Sequence, residues 1–519
     1  MSKNSKMVQW NVKQKKWLFY ISLVVMSILI FMILGDPGYV LFDDSVSYMN
    51  LYANMEGVMP GYPLFLHANK LLFGEDRYLY AVVAEQAVLA AVCVVIFIAL
   101  IKKKFRLRYW ETCVCYALAL LPFTTNMPES MTTHEIVTEG VAYALFYLFM
   151  AAFLQTVWNK SFKWFCILCG MTLFLSLIRS QLQILFGACG VVCIYIAVLR
   201  PKKAGEKKGR RLLRLFGGMV CCMIICLAGI WGVGKVSAEF QNMKAEVRRE
   251  EQRKEQQVKN TVSSQTDESQ EEKSAKPIFT TSQYVSLIFS RGMYEADYED
   301  YLLFEDEQVR NLYLDLYPRA DKAQCRYVYA KPGLWMWRDI VGGIGSVGKK
   351  CFHHQNNYYN ENYPELVYSS NYSSVRNANQ LKIGLTLIKA HFGRFLYHTL
   401  MLLPQAFICT VFFQIERIYL LCHLVTLFLY LSAVALMIWA YKDKRVENAY
   451  GEFMCSVLGT NLVLILVISL MFFGQQRYLV YNFGIFYISG FLLFMKLWRL
   501  YLRDLAVQVW GRIRHRDSL

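Results

Sequence analysis

The chain is poor in the usual carriers of catalytic chemistry. Its 15 cysteines supply no zinc framework: Cys113 and Cys115 are too close together and lie inside an apolar run, and most others sit in or near such runs, where cysteine acts as a small apolar residue. The glycine-rich stretch 342–348 lacks a Gly-Lys-Ser/Thr ending and a preceding strand, which argues against a phosphate loop. No internal repeat is evident, and the apolar runs are almost bare of charge at their centres, unlike the paired halves and buried charges of many transporters. No small-residue cleavage site follows the first apolar run, so it is read as a retained span and not a removed signal. The formal net charge of +17 forms no separate basic domain. It flanks apolar runs, which argues against nucleic acid as a partner.

What the chain does have is spanning length. It has 519 residues, 55% of them hydrophobic, with a mean hydropathy of +0.27. Apolar runs cover 17–34, 79–101, 110–123, 136–157, 163–178, 181–199, 215–234, 395–414, 418–441, 452–473 and 479–498. A membrane crossing needs roughly 20 such residues. Lys and Arg set the orientation. They gather before the first run, at 102–108, at Lys160 and Lys163, and at 200–214, whereas the alternate loops 124–135 and 179–180 carry only Arg179. The N-terminus is therefore expected inside and residues 35–78 outside. Lys442, Lys444 and Arg445 and the basic tail are also expected inside, so only one of the runs 395–414 and 418–441 can cross. The first opens with His391, Arg394 and His398 and contains Pro404, and is read as an interfacial or re-entrant helix. The expected fold is an all-α polytopic membrane protein with about ten spans and one extracytoplasmic domain. Its parts are a transmembrane module over 1–234, a polar helix or linker over 235–276, a Tyr- and Trp-rich helical domain over 277–383 and a second transmembrane module over 384–519. Cys325 and Cys351 are candidates for a disulfide if that domain meets an oxidising compartment.

The residues with chemical potential gather on the outer side. Asp43 and Asp44 follow the first run, with Tyr48 one helical turn beyond Asp44. Acids at such a boundary are often solvated caps, but a carboxylate there also suits deprotonation of a hydroxyl or capture of a divalent cation. Pro60-Gly61-Tyr62-Pro63 makes a kinked aromatic loop. Glu135 and Glu139 share one helix face, and Glu139 falls inside an apolar run, where an ionisable side chain marks function or a buried partner. An acid-favouring helix N-terminus explains Glu135 better than Glu139. Arg179 and Arg477 lie where the positive-inside rule predicts no cation. A lipid-carrier phosphate would explain them, as would headgroup snorkelling. Arg394 and His391 are weaker candidates.

These motifs, in this order and on one side, resemble the GT-C superfamily of integral membrane glycosyltransferases. The likeness is to the protein O-mannosyltransferase and aminoarabinose-transferase branch and to lipopolysaccharide galacturonosyltransferase relatives. Asp44-Ser45-Val46-Ser47-Tyr48 and Pro60-Gly61-Tyr62-Pro63-Leu64-Phe65 look like the first outer loop of those families, and Thr138-Glu139-Gly140 like their acid at the fourth span. Ile178-Arg179-Ser180, Arg477-Tyr478 and the stretch 389–396 look like further shared positions. Ser45 stands where many members have Glu, and the prolines that often follow Arg-Tyr are absent. The middle domain resembles nothing in the family.

The resemblance implies a GT-C-like bundle and transfer of a sugar, with inversion, from a polyprenyl-phosphate donor. Asp44 would be the general base, with Asp43 beside it. Glu139 would orient the acceptor or, with Asp44, hold Mg or Mn. Arg477 and Arg179 would neutralise the departing phosphate, and Tyr48, Tyr62, Tyr478, Glu135 and Arg394 would line the substrate site. The acceptor is a cell-envelope glycan, a lipid or a protein. A transporter or flippase for a lipid-linked glycan, a polysaccharide polymerase and a non-catalytic assembly factor are the rival readings.

Overall fold

In the computed structural model the described residues are 3–34, 38–49, 59–124, 133–199, most of 216–243, 282–333, 335–367, 372–412, 415–471 and 476–516. The linker expected over 235–276 lies almost wholly outside them. The described chain is helical. Among the described residues there is no strand, only an isolated parallel bridge between Val40 and Glu135.

The first module runs α1 (Lys3–Leu34), α2 (Asp43–Met49), α3 (Gly61–Phe73), α4 (Tyr78–Phe105), α5 (Tyr109–Thr124), α6 (Thr138–Asn159), α7 (Phe162–Ile178), α8 (Leu185–Leu199) and α9 (Phe216–Val236). The second membrane module has α16 (Phe392–Val411), α17 (Tyr419–Lys442), α18 (Asn448–Met471), α19 (Gln476–Leu479) and α20 (Phe483–Arg516). Among the described residues, seven helical stretches are long and apolar enough to cross a membrane by length and composition, in α1, α4, α6, α9, α17, α18 and the segment 480–507. The other runs read as spans fall on shorter helices: α5 has 16 residues, α7 has 17 and α8 has 15. The 20-residue α16, with Pro404 in its interior, is not among the seven.

Burial separates the helices. In α6 the apolar window is 89% buried, against 17% in α17, so α6 is the axis of the bundle and α17 lies at its periphery. A helix apolar on every side belongs in a core or in lipid, and α6 is packed by α4, α7, α8 and α18. Helix ends follow charge: α4 closes with Lys102, Lys103 and Lys104 in its last turn, where cations favour the carbonyl end, and Arg106 caps it at φ 53.

Between the modules lie α10 (Ser282–Tyr294), α11 (Glu307–Lys322), α12 (Met336–Val347), α13 (His353–Asn362), α14 (Pro364–Val367) and α15 (Tyr372–Ala390). They enclose their own core around Phe289, Leu312, Tyr313, Leu316 and Tyr359. At the crossing of α10 and α15 a Cβ on Gly292 would stand 2.5 Å from the Gly384 carbonyl oxygen, so the two backbones touch without side chains between them. Helix α15 continues to Ala390, through the boundary expected at 383, and α16 follows at once. The glycine-rich stretch forms the second half of α12, with Gly348 just beyond its end. Cys325 and Cys351 are both buried free thiols, so the disulfide weighed from sequence is not formed.

Candidate functional site

The loop after α1 is held by backbone pairing. Val40 donates its N–H to the His134 carbonyl (2.9 Å), and Ile136 donates to the Val40 carbonyl (3.0 Å), which fastens this loop to the segment entering α6. Ser45 accepts the Phe42 N–H through its hydroxyl (2.8 Å), and its own N–H donates to the Phe42 carbonyl (2.9 Å). This is one half of a capping box, the side chain at the third helical position reaching back to the N–H that precedes the helix. Ser45 is therefore used by the backbone of α2. The short helix carries a half-buried Asp44 and, one turn on, Tyr48.

Helix α3 brings the second motif. A Cβ on Gly61 would lie 2.8 Å from the Leu177 carbonyl oxygen, so the start of α3 can sit against the end of α7 only without a side chain there. Tyr62, fully buried, meets Tyr48 edge-to-face at 5.5 Å. Its hydroxyl donates to Gln86 Oε1 (3.0 Å). Gln86 Nε2 in turn donates to the Thr133 carbonyl (2.9 Å) and the Glu135 carbonyl (3.1 Å). Gln86 thus joins α3, α4 and the α6 entry. The sequence reading missed it, although a lone amide in an apolar run is a signal, because a buried amide must find partners.

At the head of α6, Glu139 Oε1 lies 2.7 Å from Arg179 Nη1, and both residues are buried. Thr138 donates its hydroxyl to Glu139 Oε2 (2.8 Å). Arg179, extended after the last turn of α7, also donates to Gln181 Oε1 (3.1 Å) and lies 4.9 Å from the centroid of the Tyr478 ring. Beside them Tyr143 stacks on Tyr481 at 4.4 Å. Burial, with the Glu139 and Asp44 carboxylates next, raises the Tyr48 hydroxyl above the usual tyrosine value, against a smaller lowering by Arg179. Burial, then Glu139, does the same to Tyr62. Both phenols therefore stay protonated as hydrogen-bonding groups.

The structure brings together Asp44, Tyr48, Tyr62, Glu139, Arg179 and Tyr478, from segments far apart in sequence. Glu135 precedes α6, in the bridge to Val40, so it does not share a helix face with Glu139, and it takes part through its backbone carbonyl. Asp43 begins α2 and Arg477 lies in α19 beside Tyr478, but their side chains lie outside the described residues. Arg394 is elsewhere: it donates to Asp297 Oδ2 (2.8 Å) and the Glu295 carbonyl (2.9 Å), and stacks over Tyr327. Its neighbour His391 pairs with Asp300 at 2.8 Å. Arg394 therefore ties α16 to the middle domain and does not face Glu139.

The divalent cation weighed for Asp44 and Glu139 does not fit these residues. Both Glu139 oxygens are engaged, by Arg179 and by Thr138. Among the described residues no group of three or more His, Cys, Asp or Glu is placed to hold a metal ion. Taking Glu139 from its guanidinium would leave an uncompensated buried charge on Arg179. No family model matches the chain, and neither does any curated protein or solved structure.

Proposed function

We propose that this protein is a membrane glycosyltransferase that moves a sugar from a polyprenyl-phosphate donor to an extracytoplasmic acceptor, with inversion at the anomeric carbon. The observation that carries this reading is the meeting of the Asp44–Tyr48 helix, the start of α3 at Tyr62 and the Glu139–Arg179 pair at the head of α6. Those are the segments that the GT-C resemblance marks.

In this mechanism the Asp44 carboxylate takes the proton of the acceptor hydroxyl as its oxygen bonds to the anomeric carbon. The bond from that carbon to the phosphate oxygen breaks, and the polyprenyl phosphate leaves with the electron pair. Because Arg179 is matched to Glu139, the developing phosphate charge falls first to Arg477. Tyr48, held edge-to-face against Tyr62 and beside the charge of the Glu139–Arg179 pair, lines the path of the acceptor. The end of the bundle that carries Asp44 faces outward, as the lysines and arginines of the loops require.

The test is reconstitution of the chain in proteoliposomes with radiolabelled polyprenyl-phosphate sugars. Label should pass to an added acceptor, and the product should have inverted anomeric configuration. A retained configuration, or no transfer from any polyprenyl-phosphate donor, contradicts the reading. Movement of intact lipid-linked glycan across the bilayer without bond cleavage favours the transporter.

A further inference from the structure

The middle domain contains a second feature with the build of a binding site. A cleft of about 370 Å³ lies between the end of α11 and the face of α12, lined by Gln324, Arg326, Tyr329, Arg338, Asp339 and Gly342 among others. That volume lies within the range of small-ligand sites. Its walls are fixed in advance. Asp321 accepts from the Tyr329 hydroxyl (2.7 Å) and from Arg326 Nε (3.0 Å), and Arg326 Nη1 donates to the Ala296 carbonyl (2.9 Å). Arg326 also lies 4.5 Å from the Tyr317 ring centroid and 5.9 Å from that of Tyr329, so guanidinium and phenols form one rigid wall. Asp339 accepts the Lys331 N–H (2.8 Å).

Two backbone features shape the cleft. Gln324 has φ 51 because it ends α11 in a left-handed cap, its N–H donating to the Asp321 carbonyl (2.9 Å) and the Cys325 N–H to the Ala320 carbonyl (3.1 Å). Gly342 lies inside α12, where glycine weakens a helix, yet a Cβ there would meet nothing within 4 Å. Its neighbour Gly343 is different: a Cβ there would stand 2.6 Å from the Tyr294 ring, so packing requires that glycine. A bare backbone facing open space suits the close approach of a ligand.

We propose that this cleft binds a hydroxyl-rich saccharide. The lining mixes planar donors and acceptors, namely guanidinium, amide, carboxylate and phenol, which match sugar hydroxyls. The half-exposed Tyr329 ring offers an apolar face for the C–H side of a pyranose. Its charges balance in number: Arg326 is matched by Asp321, and the lining adds one further base, Arg338, and one further acid, Asp339. A site for phosphate would leave positive charge unmatched. Binding here needs no donor and no transfer, so the inference does not depend on the catalytic reading.

The experiment is saturation-transfer NMR on the full chain in nanodiscs with maltotriose, mannotriose and chitotriose, each tested against wild type, Gly342→Leu and Tyr329→Ala. At least one trisaccharide should bind wild type. Gly342→Leu should weaken that binding at least tenfold while the unfolding temperature stays the same or rises, because leucine favours the helix and fills only the cleft. Tyr329→Ala should weaken it as well. No binding by any of the three sugars, or equal binding by wild type and both variants, overturns the proposal. So does binding of inorganic phosphate with none of the sugars.

Discussion

Glu139 and Glu295 are both buried carboxylates with a nitrogen partner within 2.8 Å, yet their surroundings differ. Glu295 is held by His398 through both oxygens, and its neighbours Asp297 and Asp300 are matched to Arg394 and His391. All of these come from 295–300 and 391–398, two stretches that join the middle domain to α16. Glu139 instead gathers residues from α2, α3, α7 and α19, with phenols on several sides and a second carboxylate, Asp44, close enough to raise Tyr48. The first arrangement closes a joint between helices. The second assembles an acid, hydroxyls and a cation from segments far apart in the chain, the arrangement expected of a candidate site. Buried charge alone does not mark a site; the number of separate segments meeting on it is more telling.

The sharpest way to break this contrast is to split the Glu139–Arg179 pair. Glu139→Leu or Arg179→Met alone leaves one buried charge without its partner and should lower stability by about 3–5 kcal/mol. The double variant should regain most of that loss, because two well-packed apolar side chains replace a buried pair at little cost. Thermal unfolding in detergent reads both values. Additive losses in the double variant would show that the two residues do not stabilise each other.

Next in size is Gly140→Ala. The new Cβ would stand 2.5 Å from Gln86 Oε1, so the amide must move and leave the Tyr62 hydroxyl and the 133–135 carbonyls. The expected loss is about 1–3 kcal/mol, the cost of buried polar groups left unpaired. A Gln86→Leu background should make the same alanine nearly neutral. An equal loss in both backgrounds would remove Gln86 from the account.

The smallest effect belongs to the junction. Burial pushes Asp297 up, but hydrogen bonds from Arg394 and Tyr327 outweigh it and hold the carboxyl below its usual value. A depressed carboxylate stabilises the fold above the unfolded value, about 3.9, and that contribution is lost as pH falls through the folded value. Asp297 is partly exposed, so the gain is that of a surface pair, about 0–1 kcal/mol. Asp297→Asn should therefore flatten the acid limb of the stability curve slightly and leave turnover per folded molecule unchanged. A loss of turnover would make the junction part of the site.

The helices were legible because apolar runs of spanning length leave the chain few other choices. That Asp44, Tyr62, Glu139 and Arg179 belong to segments that meet was legible too, since each breaks local rules of charge or chain geometry. Their pairing was not. Sequence assigned Arg179 to a phosphate and Glu139 to an acceptor, whereas each is the other's partner across the 40 positions between α6 and the end of α7. Periodicity reports which face a residue occupies and says nothing of which distant face it meets. Arg394 shows the same limit, since its cation satisfies Asp297 in the middle domain. Ser45 looked like a substitution within a motif, and its hydroxyl proves to be engaged by the start of α2.

The central claim is that Asp44 is the base of a sugar transfer. Its most direct test compares wild type and Asp44→Asn in proteoliposomes with a radiolabelled polyprenyl-phosphate sugar, with unfolding temperature measured on the same preparations. Loss of a general base should slow transfer by about 10²–10⁴-fold with unfolding unchanged, because the amide keeps the shape of the carboxylate and removes only its basicity. Full transfer by Asp44→Asn would contradict the account.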